Sequence, residues 1–181
     1  LEAVFCFDTK GSFRYKIQHV GRGPGEYNEL DGMWIKPGEQ ELWLHSFWPP
    51  KIMVYNFDGE MLREFATRWS ARDLVWVGNH LLAGYNASRS NDGKDSLQEG
   101  VFLLDETGKS LGQAKAIGDS TMYWSVAYQR NLEEYDHGAL VLCQSDTIYR
   151  IDENGLVTPD VYLDWGKKKY PDDRKGINYG S

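Results

Sequence analysis

One short turn recurs four times in this chain at a nearly constant step. The copies are Asp8-Thr9-Lys10-Gly11, Asn56-Phe57-Asp58-Gly59, Asp105-Glu106-Thr107-Gly108 and Asp152-Glu153-Asn154-Gly155, at steps of 48, 49 and 47 residues. Each follows an apolar run: Val4–Phe7, Ile52–Tyr55, Val101–Leu104 and Ile148–Ile151. Asp or Asn at the first position and Gly at the fourth suit a type I turn. The side-chain oxygen bonds the nearby backbone, and Gly accepts the positive φ that follows. With strands before and after, each copy predicts a β-hairpin closed by a bulge. A period of roughly 20 to 50 residues marks a repeat architecture.

The following strands are expected at Phe13–His19, Glu60–Thr67, Ser110–Ile117 and Leu156–Leu163. Two more strands fit between successive hairpins. In the second unit they are Gly32–Ile35 and Glu41–Phe47; in the third, Asp73–Val77 and Leu81–Asn86 around Gly78-Asn79. In the fourth they are Tyr123–Tyr128 and Ala139–Gln144, flanking a polar stretch Gln129–Gly138 in which Arg130–Tyr135 suits one helical turn. Four antiparallel strands per unit make the blade of a β-propeller, an all-β fold. Kelch Gly-Gly doublets, WD40 Trp-Asp pairs and leucine-rich spacing are all missing.

The expected organisation over 1–181 is a half blade at 1–20 and blades at 21–68, 69–118 and 119–166. A polar tail or the start of another blade follows at 167–181. Three and a half blades do not close a ring, since propellers have four to eight. Open edges invite pairing. The expectation is a ring completed by missing chain or by self-association.

A formal charge of −7 argues against nucleic acid, because phosphate binding needs clustered Lys and Arg. Lys167-Lys168-Lys169 is followed by Asp172 and Asp173 and reads as a solvated turn. No stretch is long and apolar enough to span a membrane. Cys6 and Cys143 sit in apolar strands of distant units, so two buried free thiols are expected. Phe5 before Cys6 is too bulky for a lipid-attachment site. Asn86-Ala87-Ser88 matches a glycosylation sequon.

Gly21-Arg22-Gly23-Pro24-Gly25-Glu26-Tyr27 lies between the first two units. It is not a dinucleotide fingerprint, because position 26 is Glu, and no Gly-Lys-Ser/Thr follows to make a phosphate loop. The segment resembles a motif of the six-bladed propeller proteins abundant in gut bacteria of the Bacteroides type. The apolar-Phe-Asp-x-x-Gly unit at Val4–Gly11 and the segment Val161–Lys167 are similar to that family too, with Trp165 where the family has Phe. The resemblance implies a six-bladed ring akin to NHL and TolB-like propellers. It also implies export to the periplasm or cell surface, usually as a lipoprotein. It supplies no reaction.

Arg22 and Glu26 suit a polar pair displayed on a loop at the mouth of the central channel, with Tyr27 beside them. They also suit a plain connector, in which Gly permits the turns, Pro24 stiffens the loop, and Arg22 pairs with Glu26 or a neighbour. Trp48, before Pro49-Pro50, falls at a hairpin tip, where an exposed indole can stack on a sugar or a peptide. Asp31 and Asp73 precede inner strands with a shared Asp-x-x-Trp spacing, and Asp119 lies before Trp124. A ring of such oxygens could hold Ca²⁺; Asp is also a common way to end a loop. His19, His45, His80 and His137 lack metal-ligand spacing, and His45 alternates with Trp43 and Phe47 as a packed residue would. No Ser or Cys stands in a nucleophile context. The expected function is an exported, non-catalytic module without a resident cofactor. It would bind a small molecule, carbohydrate or protein at the channel-mouth face through Arg22, Glu26, Tyr27 and Trp48. The alternatives are a hydrolase or lyase with a divalent cation in the channel, and a structural subunit completed by another chain.

Overall fold

The computed structural model describes residues 3–36, 38–67, 73–78, 80–86, 100–116, 131–142, 146–164 and 166. Among them every regular element is a β-strand. A hairpin joins β1 (Val4–Phe7) to β2 (Phe13–Ile17). Three up-and-down antiparallel sheets follow. The first holds β3 (Glu29–Ile35), β4 (Glu41–Trp48), β5 (Lys51–Asn56) and β6 (Met61–Ala66). The second holds β7 (Asp73–Val77), β8 (Leu81–Asn86), β9 (Gly100–Asp105) and β10 (Ser110–Ala116). The third holds β11 (Leu132–Tyr135), β12 (Gly138–Val141), β13 (Thr147–Ile151) and β14 (Val157–Tyr162).

The four repeated turns join β1–β2, β5–β6, β9–β10 and β13–β14, and they are chemically alike. In each, the Gly N–H donates to the carbonyl of the leading Asx: Gly11 to Asp8, Gly59 to Asn56, Gly108 to Asp105, Gly155 to Asp152. The Asx Oδ1 accepts the N–H groups two and four residues on, at 2.8 to 3.0 Å. The four glycines have φ between 79° and 86°, where a side chain is strained. Hydrogen bonds to the charged carboxylate hold Asp8 below the usual range, chiefly from the Ser12 N–H. Asp105 is held low as well, chiefly by the Thr107 hydroxyl.

Period-2 alternation decides which way each residue packs. On β5, Ile52 and Val54 face the second sheet while Met53 and Tyr55 face the β1–β2 hairpin. On β9, Phe102 and Leu104 face the first sheet while Val101 and Leu103 face the third. The first two sheets are therefore covered on both faces over their middle strands, while Met33 and Ile35 on β3 stay exposed. Their middle strands read as continuous apolar runs for that reason. Between sheets the closest backbone approaches are β3 to β7, and β7 to β11 and β12, so the sheets converge at their first strands.

Trp43 anchors the contact between the first and second sheets. Its ring meets Trp76 edge-on at 4.9 Å and Phe65 at 5.6 Å. The Arg63 guanidinium lies over it at 5.4 Å. Its Nε1–H donates to Glu41 Oε2 (3.1 Å), and Arg63 grips the same carboxylate at 2.6 and 2.9 Å. Those bonds, the Arg63 pair first, hold Glu41 below the usual carboxylate range despite its burial.

The turns also report how the sheets touch. A Cβ at Gly108 would lie 1.9 Å from the Phe65 ring, whereas one at Gly11 meets nothing within 4 Å. Both have positive φ. Gly11→Ala is therefore expected to cost about 1 kcal/mol of backbone strain alone. Gly108→Ala should cost about 2 kcal/mol, because the ring must move as well. Urea unfolding of the two variants checks the difference; equal losses would deny the contact.

The fourth unit departs from expectation. Leu132–Tyr135, read as part of a helical turn within a polar stretch, is a strand paired with β12. A two-residue turn joins them, with Asp136 and His137 both at positive φ, as a tight hairpin requires. The strand was hidden because only Leu132 is buried in it. The strand expected at Tyr123–Tyr128, Cys143 and part of the sequon at Asn86 lie outside the described residues. Cys6 is a free, half-buried thiol. Among the described residues no helix is long and apolar enough to cross a membrane.

Candidate functional site

The Gly-rich loop connects β2 to β3 and lies against the β4–β5 tip. Its backbone is closed by Tyr27 N–H to His19 O (2.8 Å), Gly21 N–H to Tyr27 O (3.1 Å) and Glu26 N–H to Gly23 O (3.1 Å). The Glu26 carboxylate folds back over the loop and accepts the Gly23 N–H at 2.9 Å. A Cβ at Gly21 would lie 2.0 Å from that carboxylate, so the glycine is there to make room for it.

A buried ion pair clamps the loop from beneath. Lys51 Nζ lies 2.8 Å from Glu64 Oε2 and donates to Gly23 O at 2.9 Å. The Gly25 N–H donates to the same Glu64 oxygen at 2.9 Å. The Lys51 side chain is 9% exposed and that of Glu64 27%. Burial pushes the Glu64 carboxyl up, but the bonds from Lys51 and Gly25 outweigh it and leave the group below its ordinary value. Lys51 and Glu64 were not recognised from sequence. The available signal was weak: Lys51 heads the apolar run Ile52–Tyr55, and Glu64 stands in β6.

Arg22 and Trp48 come together on the outer side of this loop. The Arg22 guanidinium lies 5.9 Å from the centre of the Trp48 ring. Arg22 is exposed and makes no ion pair, with Glu26 or with another acid, among the described residues. Trp48 ends β4 at the hairpin tip, as read from sequence, and is 51% exposed; its neighbour Phe47 is 56% exposed. A planar cation beside a free aromatic face offers donors for a carboxylate or carbonyl and a surface for stacking. On the other side of the loop, His19, Pro24, Glu26, Tyr55 and Met61 line a recess of ≈ 380 Å³. Burial pushes the Tyr55 hydroxyl up to about 12.

Tyr27 is placed otherwise than expected. It is fully buried in the core between the hairpin and the first sheet, and its hydroxyl donates to Ile17 O at 3.0 Å. It holds the loop down and presents no surface to a ligand. The acids before the inner strands are engaged separately. Asp31 Oδ1 lies 2.6 Å from Nδ1 of buried His45. Asp73 Oδ2 accepts from the Asn131 backbone N–H and side chain, tying the second sheet to the third. Asp119 lies outside the described residues. Among the described residues no three His, Cys, Asp or Glu side chains are grouped as metal ligands.

Comparison with known proteins adds two findings. The chain is similar in fold to the crystal structure of a "Putative exported protein" from Bacteroides fragilis NCTC 9343, with a TM-score of 0.70 at 15% identity. The alignment covers 90% of this chain and 45% of that one, so this chain spans about half the length of the protein it matches. No curated relative matches the sequence. The family described as "Domain of unknown function (DUF4934)" matches residues 2–179, nearly the whole length, and the chain belongs to that family.

Proposed function

We propose that this protein is an exported, non-catalytic binding module. In this reading the stacked sheets are blades of a six-bladed β-propeller arc, and a ligand or protein partner docks on the face where the Gly-rich loop meets the β4–β5 tip. The observation that carries the proposal is the Arg22–Trp48 pair. Two exposed side chains suited to recognition meet on a loop fixed by a buried ion pair. A rigid platform loses little entropy when a ligand settles on it. Sheets that converge at their first strands support the propeller reading, as does the fold shared with a longer protein. The exported description of that protein supports secretion to the periplasm or cell surface, with lipid anchoring implied by the resemblance alone.

The test separates binding from folding. Arg22→Ala and Trp48→Ala are each expected to weaken ligand capture on glycan and peptide arrays about tenfold. Stability should stay within about 1 kcal/mol of the parent, as for surface substitutions. Retained capture in both variants would sink the proposal. So would chelator-sensitive hydrolysis of a lactone or ester by the purified protein.

A further inference from the structure

Tyr55 carries a polar atom where the repeat does not call for one. It stands directly before the Asx of its turn, and the residues at that place in the other three units are Phe7, Leu104 and Ile151. None of them has a hydroxyl. Tyr55 is 1% exposed, and its hydroxyl has no hydrogen-bond partner among the described residues. A buried hydroxyl without a partner weakens a fold. For packing alone, Phe would serve better.

Tyr55 forms part of the wall of the ≈ 380 Å³ recess between the Gly-rich loop and the first sheet. The Glu64 charge acts on its hydroxyl, and Glu64 bonds the N–H of Gly25 in the same wall. The polar end of the ring is therefore at the loop. Burial first, then neighbouring Tyr27 and Glu64, push the hydroxyl up to about 12, so it is a neutral phenol that can donate and accept.

The recess owes nothing to the free edge of β1. Its walls come from His19, the loop, the end of β5 and the start of β6. The hairpin is already seated beside it: the Tyr15 hydroxyl donates to Phe57 O at 2.9 Å, and a Cβ at Gly59 would lie 2.8 Å from the Tyr15 ring. In the three complete sheets, the strand ahead of the one equivalent to β1 pairs on the side away from the equivalent of β2.

The remaining wall groups point to one ligand chemistry. Glu26 is exposed and makes no ion pair among the described residues. Its Oε2 accepts the Gly23 N–H, and a carboxylate has capacity for further donors. An unpaired carboxylate attracts a cation and repels an anion. Exposed His19 adds an imidazole. Pro24 and Met61 add apolar surface, and the flexible, 43% exposed Met61 can shift to bring a ligand to the Tyr55 hydroxyl. The volume is near the low end for ligand pockets, about 300–1,000 Å³, and suits a single ring.

We propose that this recess binds a hydroxylated amine of monosaccharide size, an amino sugar. Its ammonium rests on the Glu26 carboxylate, one ring hydroxyl bonds Tyr55 and another bonds His19. Its C–H face lies on Pro24 and Met61. The site is separate from the Arg22–Trp48 platform, and neither reading needs the other.

The test titrates glucosamine, glucose and glucuronate at matched pH and chloride. The readout is NMR of protein labelled with ¹³C-methyl methionine, with the Met61 resonance assigned by Met61→Leu. Glucosamine should move that resonance saturably, glucose should bind about tenfold more weakly, and glucuronate should leave it in place. Tyr55→Phe and Glu26→Gln should each weaken glucosamine binding about tenfold. Tyr55→Phe should also unfold at the same urea concentration as the parent or a higher one, because the hydroxyl it removes bonds no described residue. A clear loss of stability in Tyr55→Phe would give the hydroxyl a structural role and overturn the proposal. So would a glucosamine shift that survives both substitutions, an equal response to all three sugars, or no response to any.

Discussion

Trp43→Ala is expected to lower the unfolding free energy by about 4 kcal/mol, the usual cost of deleting a large buried aromatic. Four groups lose their partner at once. Trp76 and Phe65 lose an edge-on ring, Arg63 loses the face it covers, and Glu41 loses a donor. The loss falls on the contact between the first and second sheets, since Trp43 packs with Leu74, Leu82 and Phe102. Trp43→Phe should recover about half of the loss, because a ring remains while the Nε1–H is gone. Denaturant unfolding of both variants checks this. A cost near that of a surface change would mean the sheets are not held by this core.

Lys51→Met is expected to cost about 3 kcal/mol, because it leaves Glu64 and the Gly23 carbonyl beneath the loop without their cation. The figure sits at the low end for a buried pair, since Glu64 keeps some contact with water. Adding Glu64→Gln should recover part of the loss by removing the stranded charge. Ligand capture should fall together with stability in Lys51→Met. In Arg22→Ala capture should fall while stability holds. That contrast separates the clamp from the platform it supports.

The turns were legible in the sequence because their chemistry is local. An Asx oxygen, two N–H groups and one Gly close each turn within five residues, so all four appeared at their positions. The strands of the third unit were equally legible, with β7 and β8 at the expected bounds. β11 was not, since exposed Glu133, Glu134 and Tyr135 give it no apolar alternation and its turn uses Asp136-His137 in place of Asn-Gly. Trp48 could be placed at a hairpin tip from its prolines. Its meeting with Arg22 could not, because the two residues belong to different elements and no periodicity links them. Tyr27 shows the reverse failure. An aromatic that ends a Gly-rich loop looks like a contact residue, yet a buried acceptor, Ile17 O, lets it serve as core.

The central claim is that ligands bind on the Arg22–Trp48 face. Fluorine NMR of protein carrying 5-fluorotryptophan at its seven Trp positions tests this directly, with the Trp48 resonance assigned by Trp48→Phe. A glycan or peptide selected on the arrays is titrated in. The account predicts that the Trp48 resonance moves with ligand concentration while those of buried Trp43 and Trp76 stay in place. A Trp48 resonance that stays fixed while the ligand saturates the protein would contradict it.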